Sequence, residues 1–126
     1  MKAYTDIEQS KMLADILPIE SADMAYIWHA TSDNLEFRFD DDMPPMVLKD
    51  VPISEIVADT LPCWSLAALL DVLPNDTDIV KAEADTENEK YMCTAGVKYD
   101  IISTFANNSV DACYELILKL KEMNLL

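Results

Sequence analysis

Three cysteines and a single histidine are the side chains of this 126-residue sequence best suited to nucleophilic chemistry. Cys63 follows Pro62 and leads into an apolar run, so the spacing predicts that it opens a helix. Free backbone N–H groups and the helix dipole at such a position favour a thiolate. With His29 as base, Cys63 is then the candidate nucleophile of a thiol-dependent hydrolase. Plain packing is the competing reading, because Trp64 and Leu66 flank Cys63 and a buried structural thiol suits such neighbours. Zinc does not fit the spacing. Cys63, Cys93 and Cys113 stand 30 and 20 residues apart, with no Cys-x-x-Cys pair and no second histidine. An odd number of cysteines in mostly apolar surroundings argues for buried reduced thiols rather than a disulfide framework.

The carboxylates offer two further chemistries. Asp40, Asp41 and Asp42, and separately Asp76 and Asp78, are weak candidates for Ca²⁺ or Mg²⁺, but neither stretch carries the glycine and distal glutamate of an EF-hand loop. They read first as solvated turn residues. Glu83, Asp85, Glu87 and Glu89 occupy alternate positions, and on an extended chain they line one face as a row of negative charge. Such a row is either a solvated hairpin or a partner-binding surface that imitates the phosphates of DNA. Gly96 is the only glycine. Glycine-rich phosphate loops are thereby excluded, and no cofactor is expected. Trp28, Trp64, Tyr91 and Tyr99 lack interleaved basic residues and read as core and sheet residues rather than base-stacking platforms.

These side chains must be held by elements that the hydrophobic pattern outlines. Thr5 and Glu8 form a capping-box pattern ahead of a helix over Asp6–Leu17, with Ile7, Leu13, Ala14 and Leu17 on its buried stripe and Pro18 as its stop. Met24–Trp28 and Leu35–Phe39 read as a hairpin joined by the turn residues Thr31 to Asn34. Residues 40–58 carry three prolines among their apolar side chains and read as an irregular, insertion-like connection. It has room for one edge strand near Met46–Leu48 and a helical turn near Ser54–Ala58. The stretch 61–73 is apolar almost all round and is expected to be a buried central helix, with Pro62 in its first turn. Ile79–Asp85 and Tyr91–Tyr99 read as a second hairpin, with Ile101–Phe105 as an extension of strand. A last helix, capped by Asn108 or Ser109, carries Cys113, Leu116, Ile117, Leu120 and Met123 at helical spacing.

Leu13 to Pro18 matches Leu69 to Pro74 at a shift of 56 residues, and a short acidic turn with a hairpin follows each copy. The expected architecture is α+β in the order αββ-αββ-α. It forms one domain over 1–126, with antiparallel sheet covered by helices and an internal duplication of halves 5–39 and 60–105. Apolar residues make up 51% of the chain, enough for a real core. Acidic residues number 24 against 9 basic, a net charge of −15, which repels nucleic acid and anionic membranes; it reads first as a means of solubility, and it would also favour cations or a basic protein partner. No apolar run approaches the ~18 residues that span a bilayer, and no leader pattern opens the chain, so a cytoplasmic protein is expected.

Pro62 to Leu70 (PCWSLAALL), Ile16 to Met24, and Val110 to Tyr114 with Glu115 (VDACYE) resemble a family of small acidic hypothetical proteins from gut Bacteroidetes genomes and their phages or mobile elements. The resemblance covers both halves and the last helix but not residues 40–58. It implies a bacterial or phage origin and brings no activity with it. The leading expectation is accordingly a non-enzymatic protein that acts through protein contacts, with a homodimer among the arrangements open to it. A DNA-mimicking decoy and the Cys63 hydrolase stand as alternatives.

Overall fold

In the computed structural model, which describes residues 2–28, 44–49, 52, 59–81 and 90–126, the first helix, α1, spans Ile7–Ala14. Its cap is Asp6 rather than Thr5. The Asp6 carboxylate accepts from the Gln9 backbone N–H at 2.8 Å, and the Gln9 side chain accepts from the Asp6 N–H at 3.1 Å. Two of the four N–H groups left open at a helix start are closed reciprocally by a pair one residue later than the sequence pattern suggests. Thr5 is instead fully buried. The buried stripe is Ile7, Ser10 and Leu13, while Ala14 is exposed. Beyond Ala14 the helix unwinds, with the Ile16 and Leu17 N–H groups both donating to the Leu13 carbonyl. A 3₁₀ turn, Ile19–Ser21, follows Pro18.

The chain is of the α+β class, and its described residues form helices and two three-stranded antiparallel sheets. It divides into two compact units, one over Asp6–Ser65 and the other formed by Met1–Thr5 with Leu66–Leu126. In the first unit β1 (Met24–Trp28) is central, with β2 (Met46–Val47) on one side and β3 (Asp59–Cys63) on the other. The edge strand expected near Met46–Leu48 is β2, and α1 packs against β3. Leu35–Phe39 and Ser54–Ala58 lie outside the described residues.

The stretch 61–73 is not one helix. Its first three residues end β3, with Ala25 opposite Pro62 and Met24 opposite Cys63, and the helix α2 is confined to Leu66–Val72. Proline is tolerated in β3 because that strand lies at a sheet edge, where a missing ladder donor costs least. Nor is α2 enclosed all round. It buries Ala68 and Leu69, followed by Leu73, and exposes Ala67, Leu70 and Asp71. Trp64, in the link between β3 and α2, is fully buried as expected, and its indole N–H donates to the Ser21 hydroxyl at 2.9 Å.

In the second unit, β4 (Thr77–Lys81), β5 (Tyr91–Val97) and β6 (Asp100–Ala106) form a meander with β5 at its centre. Residues 101–105 form most of a full third strand, not an extension of the second. The helix α3 (Ser109–Glu122) packs on β5 and β6, and α2 packs against α3. One side of α3 supplies the core through Val110, Cys113, Leu116, Ile117 and Leu120, whereas Met123 is 46% exposed. Asn108 caps α3, its side-chain oxygen accepting from the Asp111 N–H at 2.8 Å. The strand orders of the two sheets differ: the chain's first strand is central in one and the second strand in the other.

Candidate functional site

Cys63 is a buried thiol at the end of β3, with no solvent-accessible surface. The electropositive helix start expected beside it lies at Leu66, three residues further on. The next backbone groups are also committed: the Ser65 N–H donates to the Asp23 carboxylate at 2.9 Å, and the Ser65 hydroxyl donates to its other oxygen. His29, the proposed base, lies outside the described residues, as do Asp40, Asp41 and Asp42 and the acidic row Glu83, Asp85, Glu87 and Glu89. Asp76 and Asp78 are described and exposed. Among the described residues no group of three or more His, Cys, Asp or Glu side chains could hold a metal ion.

The structure brings together two sulfurs that sequence reasoning left apart. Cys93, on β5, and Cys113, on α3, are both fully buried, and their Sγ atoms lie 3.7 Å apart in a thiol–thiol hydrogen bond. That bond holds the Cys93 thiol below its ordinary range, against burial, which raises it. Cys113 is pushed strongly upward, first by its hydrogen bond with Cys93, then by burial and by the charge that Cys93 would carry. Alternation placed Cys93 on a strand and helical spacing placed Cys113 on a helix. Neither period reveals that the two point at each other.

A second feature is the sheet face that α3 leaves uncovered. The register aligns Ile79, Cys93 and Thr104 on the face toward α3, where the Thr104 hydroxyl donates to the Ala112 carbonyl at 2.8 Å. Side chains alternate along a strand, so Val80, Met92 and Phe105 form the adjacent row on the opposite face. Val80 is 45% and Phe105 48% exposed. The next row, Asp78, Thr94 and Ser103, is polar and includes a Thr94–Ser103 hydroxyl bond of 3.0 Å. Ile101, beyond it on the same face, is 77% exposed, and Tyr99 in the turn that precedes β6 is fully exposed. The sequence conceals this face because Ile101, Ile102, Phe105 and Ala106 put apolar groups on both sides of β6. A period of two then cannot say which side is covered.

No helix among the described residues is long and apolar enough to cross a membrane. Comparison with protein-family models, curated proteins and solved structures yields no match. The chemical capacity of the described surface therefore rests on its own geometry: an apolar strip on an open sheet, in a chain of net charge −15.

Proposed function

We propose that the protein acts by binding another protein through the outer face of β4, β5 and β6, without catalysis of its own, and that the partner is basic. The row Val80, Met92 and Phe105 carries this reading, since apolar groups gathered on one exposed face are the usual core of a protein contact. Charge selects the partner. Glu83, Asp85, Glu87 and Glu89 belong to the connection between β4 and β5, so in sequence they adjoin the strand ends that bear Val80 and Met92. An apolar strip in a chain this acidic favours a surface with apolar side chains rimmed by Lys and Arg, whereas a second copy of this chain would bring a further net charge of −15. The resemblance of the PCWSLAALL and VDACYE stretches suggests a gut bacterium of the Bacteroidetes or its phage as the host, with the cytoplasm as the proposed compartment.

The test is affinity capture from that host with three tagged proteins. These are the natural chain, the Val80→Thr/Phe105→Thr double variant, and a variant with Glu83, Asp85, Glu87 and Glu89 changed to their amides. Threonine keeps strand preference at exposed sites, so far-UV circular dichroism should not change. The natural chain should retain a basic protein, with capture falling about tenfold in the double variant, the loss of roughly 1.4 kcal/mol of apolar contact. The amide variant should still bind but with a weaker dependence on salt. Equal capture by the double variant would refute the contact face. Complete loss in the amide variant alone would instead favour the DNA-mimicking decoy.

A further inference from the structure

We propose that Cys93 and Cys113 are a redox-responsive dithiol that closes to a disulfide and fixes α3 to the central strand of the second sheet. The inference stands apart from the contact face and rests on placement. The two sulfurs come from different elements, sit in the helix–sheet core of one unit and face each other at 3.7 Å. A bonded pair needs a separation of about 2.0 Å, so closure requires the sulfurs to move together by about 1.7 Å. Cys63 belongs to the other unit and is an internal control.

The chemistry balances with a peroxide as oxidant. Cys93 is the member of the pair whose thiolate is favoured, because its hydrogen bond with Cys113 lowers its pKa. The Cys93 sulfur attacks one peroxide oxygen, an S–O bond forms, the O–O bond breaks, and the leaving hydroxide takes up the proton lost by the Cys93 thiol to become water. The Cys113 sulfur then attacks the sulfenic sulfur of Cys93. An S–S bond forms, the S–O bond breaks, and the departing hydroxide takes the Cys113 proton as a second water. Two thiols lose two electrons and hydrogen peroxide gains them. Because neither thiol has accessible surface, the first step waits on a local opening of the α3–β5 contact. Burial thus keeps the pair reduced under brief exposure. Once closed, the bond is shielded from bulky reductants.

The full-length chain is exposed to hydrogen peroxide under native conditions, quenched with N-ethylmaleimide and analysed by mass spectrometry without reduction. The expected product has lost two hydrogens and, after trypsin, links the peptides 91–98 and 99–119, with Cys63 alkylated only after denaturation. The oxidised chain should unfold at a temperature at least about 5 °C higher than the reduced one, because the closed loop restricts the unfolded state. Cys93→Ala and Cys113→Ala should each abolish the two-hydrogen loss. Since the mapping is made on the natural chain, it stands even if a variant fails to fold. Sulfinic acid at either cysteine in place of the linkage, a linkage that includes Cys63, no reaction while the chain stays folded, or an unshifted unfolding temperature would overturn the proposal.

Discussion

Lys98 adopts φ 57°, the left-handed region, in the two-residue connection between β5 and β6. Tight hairpins call for positive φ, and glycine supplies it without a Cβ clash. The chain's one glycine is used two residues earlier. At Gly96 an added Cβ would lie 2.6 Å from the Asp76 carboxylate, while the Gly96 N–H donates to the Asp76 carbonyl at 2.9 Å. The close approach there is steric, whereas the strain at Lys98 is torsional. Lys98→Gly should therefore stabilise the chain by about 1 kcal/mol, read as a higher urea midpoint at unchanged slope. An unchanged or lower midpoint would mean that the turn relaxes around lysine at no cost.

The helix α3 shows how far local signals and packing divide the work. Its start is closed by Asn108, which accepts from the Asp111 N–H and donates to the Asp111 carboxylate at 2.9 Å. At its end, Asn124 takes φ 58°, with the Leu125 N–H on the Leu120 carbonyl at 2.8 Å and the Asn124 N–H on the Lys121 carbonyl at 3.1 Å. This is the paired closure of a Schellman motif. Both ends are local in sequence, yet the larger stabilisation comes from the fully buried side of the helix. Asn108→Ala should cost about 1 kcal/mol. Leu116→Ala, which empties a site with no exposed surface, should cost about 3 kcal/mol. Equilibrium urea unfolding of the two variants checks the ranking, and comparable losses would mean that α3 is held by its ends rather than by its face.

Over the whole molecule, 24 carboxylates against 9 cationic side chains leave a self-repulsion that the core must overcome. Ion pairs among the described residues offset part of it. Lys2 with Asp111 at 2.8 Å is half-buried, and Lys11 with Glu8 at 3.7 Å is exposed and worth little. Sodium chloride raised from about 0.01 M to about 0.15 M, which shortens the screening length from roughly 30 Å to roughly 8 Å, should raise the unfolding temperature by several degrees. A scanning-calorimetry trace that does not move with salt would show the negative charges to be too dispersed to repel. The same field underlies our proposal of a basic partner.

The α+β class, the start and buried face of α3, and the alternation of helices with groups of strands were legible in the sequence because each depends on local periodicity and on caps a few residues apart, whereas the expected order αββ-αββ-α lacked the third strand of each sheet. The 61–73 stretch was not legible. Pro62 serves equally as a first helical residue or as an edge-strand residue, and only pairing with Ala25 on β1 decides between them. Cys63 was singled out on the helical reading and lies in a strand. Cys93 and Cys113, twenty residues apart, meet only because a helix folds back over a sheet. Which face of β4, β5 and β6 is left bare is likewise settled by where α3 packs. Sequence determines what a segment prefers within a few turns of itself; contact between distant segments belongs to the tertiary fold, because no local term in the chain's energy records it.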